Sequence, residues 1–198
     1  MNHPGRPDST RRNTLLAALA LAVGTASPAR ATGALTDAAT WNTLRTGGIV
    51  LFRHANAPGV GDPPGFRLGD CGTQRNLDAA GRAQAQRIGA RLREQGVTVG
   101  KVLASQWCRT RDTAELAFPG RVTPQAAFNS FFEDRDNAPQ QTSAARALLL
   151  AWNGPGALVV VTHQVNISAL TDGFTASGEG IVLRRLGQQL EVVGRIAP

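Results

Sequence analysis

Apolar residues fall along this chain in short continuous runs separated by polar, glycine-rich stretches. Gly47-Gly48 leads into Ile49-Val50-Leu51-Phe52, a pattern that predicts a buried strand. Val99 to Ala104 predicts a second strand. A third, near Val122, is cut short by Pro124. Leu158 to Val161 is the clearest buried strand in the sequence. Ile181–Leu186 and Leu190–Ile196, with Gly187 between them, predict a closing hairpin. Between these runs the period changes. Asp78 is placed to cap a helix over about 79–95, with Ala85, Ile88 and Leu92 on one face and Arg82, Arg87, Arg91 and Arg93 largely outside it. Further helices are expected over Arg109–Ala117, which Pro119-Gly120 stops, over Ala144–Trp152, and from 165 to 172. Residues 56–73, with three prolines and five glycines, read as one long loop, and residues 129–142 as another. Strands alternating with helices predict an α/β fold: a three-layer sandwich with a mostly parallel sheet and helices on both faces. No internal repeat, low-complexity tract or linker interrupts 32–198, so one domain is expected there.

The first 31 residues follow a different rule. Arg11-Arg12, the short apolar stretch Leu15 to Val23, Pro28 and Ala29-Arg30-Ala31 have the form of an export signal with its cleavage site. The sequence around Arg11-Arg12 also resembles a twin-arginine signal. The expectation is a protein exported to the periplasm, with no stable membrane insertion once the signal is gone. Removing 1–31 takes four arginines and one aspartate, so the formal charge of +7 falls to +4. A high pI can point to nucleic acid, but export and the reduced charge argue against that partner. Export permits a disulfide. Cys71 and Cys108 are the only cysteines, so only one intramolecular pairing exists, worth about 4 kcal/mol in the chain-entropy model.

Three of the expected strands end in polar groups: Arg53-His54, Ser105 with Arg109 just beyond, and Thr162-His163. In open α/β sheets, ligands bind outside the carboxyl ends of the strands. Both histidines of the exported chain and two arginines should therefore meet at one edge. Such a cluster repels itself unless an anion sits within it, and the guanidinium fork matches phosphate oxygens. One imidazole can attack phosphorus and the other can hydrogen-bond the oxygens as charge builds. A leaving alkoxide needs an acid, and Phe131-Phe132-Glu133-Asp134-Arg135-Asp136 supplies candidates.

These runs resemble the histidine phosphatase superfamily, the phosphoglycerate mutase-like proteins. The resemblance rests on Arg53-His54-Ala55, on Ser105-Gln106-Trp107-Cys108-Arg109, on Thr162-His163 after a valine-rich strand, and on Arg75-Asn76-Leu77-Asp78-Ala79-Ala80-Gly81-Arg82-Ala83-Gln84-Ala85. It covers most of 47–172. It implies a phosphomonoester hydrolase with His54 as the phosphate-accepting nucleophile and His163, Arg53 and Arg109 as the phosphate pocket. Glu133, or its neighbour Asp134, would be the acid. Ser105, Arg75 and Asn56 are further candidates for substrate contact. The family uses no metal ion or other cofactor, and a small-molecule phosphomonoester is the expected partner. Ala55 stands where the family has glycine, and Gln164 where glycine often follows the second histidine. A weakly catalytic phosphate-binding protein of the same fold and a phosphomutase remain alternatives.

Overall fold

The structure, a computed structural model, describes residues 37–197. The expected export signal and its twin-arginine pair lie outside those residues. Six strands form one sheet in the order β3-β2-β4-β1-β5-β6. They are β1 (Ile49–Arg53), β2 (Val99–Ala104), β3 (Val122–Pro124), β4 (Ala157–Thr162), β5 (Gly180–Leu186) and β6 (Gln189–Ile196). The first four run parallel, while β5 and β6 form the antiparallel edge. Strand β4 is buried along its whole length, as its uninterrupted run of apolar residues requires. The edge strand β3 tolerates Pro124 at its end.

Alternation along the strands divides the core in two. Val50, Phe52, Val102, Ala104, Val159 and Val161 face one way, against Trp41 and Leu44 of α1 (Asp37–Arg45), Ile88 and Leu92 of α2 (Ala79–Glu94) and Ala114 and Ala117 of α3 (Cys108–Ala117). Ile49, Leu51, Leu103, Leu158 and Val160 face the other way, against Ala145 and Leu149 of α4 (Ala138–Leu150) and Ile167 and Leu170 of α5 (Gln164–Thr171). This is the three-layer α/β arrangement expected.

Two elements differ from the sequence pattern. Helix α1 was not anticipated, because its buried face pairs Trp41 and Leu44 with Thr40 and Thr43 and carries little apolar periodicity. Helix α4 begins at Ala138, not Ala144. Pro139 lies in its first turn, where a missing N–H breaks no helical hydrogen bond. Helix α2 is capped as expected, with the Asp78 carboxylate accepting from the Gly81 amide at 2.6 Å.

Close approach fixes α2 in place. A Cβ on Gly81 would lie 2.0 Å from the Asn56 carbonyl oxygen, and one on Gly89 would lie 2.1 Å from that of Ala117. The loop after β1 and helix α3 therefore both pack directly on α2 backbone. Cys71 and Cys108 form a disulfide, which ties the same loop to the first residue of α3.

Candidate active site

The sheet ladder continues one residue past the strands on both sides of β4. The His54 amide donates to Thr162 O at 3.0 Å, and the Ser105 amide donates to Val161 O at 3.0 Å. His54 and Ser105 are thus fixed on either side of His163, which follows β4 as the N-cap of α5. The two imidazole rings are 5.6 Å apart, edge to face. Both are buried. With Arg53, Arg75, Arg109, Glu133 and Asp134 they line one cavity of about 800 Å³ at the carboxyl edge of the sheet.

His54 Nδ1 lies 2.8 Å from the Ala55 carbonyl oxygen. A carbonyl only accepts, so Nδ1 carries the hydrogen and Nε2 keeps its lone pair. Burial, and then the guanidinium charges of Arg109, Arg75 and Arg53, push the pKa of His54 down to about 3 despite the Ala55 hydrogen bond. The ring is a neutral imidazole with a free nucleophilic nitrogen. Ala55 takes the glycine position without a left-handed backbone, and its amide is held by Thr113 Oγ1 at 3.0 Å.

His163 is also held well below its ordinary pKa by burial and by the charge of Arg109. Its Nε2 lies 2.8 Å from Ser105 Oγ, which is also 3.4 Å from Asn129 Oδ1. The Trp107 amide donates to the same Oγ at 3.2 Å. Ser105 is fully buried and does not line the cavity. The expected substrate contact is therefore replaced by a positioning role, in which Ser105 holds the His163 ring.

Arg53 and Arg109 are each held through terminal nitrogens. Arg53 donates to Thr175 O at 2.9 Å. Arg109 is clasped by Asp62, at 2.7 Å and 3.2 Å through its two terminal nitrogens. The Nε groups of both arginines are buried with no hydrogen-bond partner. Asp62 also accepts from Trp107 Nε1 at 2.9 Å and from the Arg75 amide at 3.1 Å. Burial alone would raise the Asp62 pKa. The hydrogen bonds from Arg109 and Trp107, with the charge of Arg109, outweigh it and hold the carboxylate below its usual range. Sequence reasoning missed Asp62, which lies in an aperiodic loop with no motif to mark it.

Arg75 lines the cavity, and its guanidinium also holds the loop through the carbonyls of Gly61 and Ala57. Asn56 does not line it. Its side chain donates to Asp78 Oδ2 at 2.8 Å, and its amide donates to Gln84 Oε1 at 2.9 Å. The expected substrate contact gives way to bracing of the α2 cap. Glu133 and Asp134 both face the cavity from the loop before α4 and are exposed. Cys71 and Cys108 are consumed by their bridge.

Two buried imidazoles, one with an unprotonated Nε2, and three guanidinium-bearing residues around one cavity can together hold a tetrahedral oxyanion. Residues 49–133 match the family model of the histidine phosphatase superfamily, branch 1. The resemblance read from the motifs to that superfamily is borne out in sequence and in fold. The matched span holds His54, Arg109 and Glu133 and ends before His163, which the sheet brings to them. Several solved structures share the fold. The protein histidine phosphatase SixA complexed with tungstate is 14% identical, covering 76% of this chain and 96% of its own, at a TM-score of 0.54. YhfR of Bacillus stearothermophilus is 16% identical, covering 75% and 96%, at 0.56. A mycobacterial glucosyl-3-phosphoglycerate phosphatase complexed with VO3 is 14% identical, covering 74% and 97%, at 0.54. No curated protein matches the sequence.

Proposed function

We propose that this chain hydrolyses phosphomonoesters through a phosphohistidine intermediate on His54, without a metal ion, after export to the periplasm. One observation carries the reading. Arg53, Arg75 and Arg109 line one cavity together with His163 and with His54, whose Nε2 is unprotonated. Cations gathered around one cavity favour an anion there, and the guanidinium fork matches phosphoryl oxygens. That solved relatives of the fold hold tungstate and VO3 agrees with this. The positive charge that a metal would bring comes from the guanidinium groups.

In the first step His54 Nε2 attacks phosphorus and the P–O bond to the alcohol breaks. Nδ1–H stays on the Ala55 carbonyl as the ring becomes cationic. His163 and the guanidinium groups take the charge on the equatorial oxygens. The alkoxide takes its proton from Glu133, with Asp134 as the neighbouring alternative. In the second step the same carboxylate accepts a proton from water, whose oxygen attacks phosphorus. The P–N bond breaks and neutral His54 returns. The disulfide supports an oxidising destination.

The test is a phosphomonoester panel assayed with chelator present, together with acid-quench trapping of labelled phosphoenzyme. Turnover and label are expected in the wild type and absent from His54→Asn. Turnover that survives in His54→Asn overturns the mechanism.

A further inference from the structure

The anion centre accounts for only the floor of the cavity. Its volume, about 800 Å³, lies within the range of about 300–1,000 Å³ usual for pockets that enclose a whole organic ligand. The walls above the arginines are aromatic. The chain has seven phenylalanines, three tryptophans and no tyrosine. Four of these rings, Phe66, Trp107, Phe132 and Phe174, line this one cavity. Phe174 is 69% exposed and Phe132 40%, and Val60 beside them is 87% exposed. Large apolar groups so open to water on a small protein mark a surface that meets something.

The rings are also held in place. Phe66 and Trp107 stack at 5.1 Å with 16° between their planes, so each ring holds the other in place. Asp62 fixes the Trp107 indole N–H, and Trp107 meets His163 edge to face at 5.5 Å. The Arg135 guanidinium lies 5.2 Å over the Phe132 ring. Gln164 accepts from the amide and hydroxyl of Thr175, both at 2.9 Å, and so braces the residue next to Phe174. Ordering Phe66 and Trp107 therefore costs little on binding.

We propose that the preferred substrates of this site are phosphomonoesters whose alcohol part carries a flat aromatic ring, received among Phe132, Phe174 and the Phe66–Trp107 pair that line the cavity. This rests on the phosphatase reading above and adds to it the class of leaving group. Offset stacking rewards a flat partner over a puckered one of equal size.

The test reads binding, so it does not depend on turnover. Benzylphosphonate, cyclohexylmethylphosphonate and methylphosphonate are titrated calorimetrically into the full-length protein processed by its host. The first two have equal carbon counts but differ in flatness. Benzylphosphonate is expected to bind roughly tenfold tighter than methylphosphonate and several-fold tighter than cyclohexylmethylphosphonate. Phe132→Ala and Phe174→Ala should each cut the benzyl-to-methyl ratio by roughly fivefold. The ratio is the readout, because a general loss of the site weakens both ligands together. Equal binding of the benzyl and cyclohexylmethyl compounds, or a ratio unmoved in both variants, overturns the proposal. Phosphonates that bind with this preference to a protein yielding no phosphoenzyme would instead overturn the hydrolytic reading and leave the aromatic one standing.

Discussion

At the scale of single residues the site is an exercise in holding charge without neutralising it. His54 stays neutral because burial and three guanidinium groups oppose its protonation. Its ring resonances in an NMR pH titration should pass through 6.5 without moving and shift only near 3. Movement through the ordinary value would show an exposed or anion-paired ring. Ser105 Oγ holds His163 at 2.8 Å and accepts from the Trp107 amide at 3.2 Å. Ser105→Ala should weaken vanadate binding roughly fivefold, the worth of about 1 kcal/mol for one hydrogen bond, while Ser105→Thr restores it. Asp62 keeps Arg109 in place inside the protein, with side-chain exposures of 10% and 3%. Asp62→Ala leaves a buried cation unpaired and should cost about 3 kcal/mol in urea unfolding. His54, His163, Arg53 and Arg109 were legible in the sequence because each sits at or just beyond the end of an apolar run. Asp62 was not, since an aperiodic loop gives no register. Nor were the roles of Ser105 and Asn56, since a polar residue beside a strand end reads the same whether it touches substrate or a neighbouring side chain.

At the scale of elements, the glycines of α2 decide how closely the helix approaches. The loop that follows His54 lies against Gly81, and α3, which carries Arg109, lies against Gly89. Gly81→Ala must push backbone from backbone and should cost about 1–3 kcal/mol, with phosphate affinity falling too, because the displaced segment follows directly on His54. Equilibrium unfolding and phosphate titration of the same variant check both. Elements with strong periodicity, such as β4 and α2, were legible. Helix α1 was hidden because threonines share its buried face, and the start of α4 because Pro139 reads as a loop residue until its first-turn position is known.

At the scale of the whole molecule, the buried neutral histidines tie stability to acidity. His54 has a lower pKa folded than unfolded, so below 6.5 the unfolded chain takes up a proton that the folded one refuses. Stability should therefore decline as pH falls from 6.5 toward 3, and the slope should be shallower in His54→Asn. Denaturant midpoints across that interval test the sign. The sheet order was not legible from the strands one by one. It follows from pairing β4, apolar on both faces, at the centre, which sets His163 between the other two strand ends.

The bridge between Cys71 and Cys108 has a consequence for how the site matures. It joins the Asp62-bearing loop to the turn that presents Arg109, so sulfur oxidation and assembly of the anion cradle share one anchor. A chain whose thiols are kept apart by a glutathione pool carries that loop and that turn unlinked. Refolded in graded redox buffers, the protein should gain vanadate affinity in step with loss of free thiol, which would make competence something acquired only once the two sulfurs are joined.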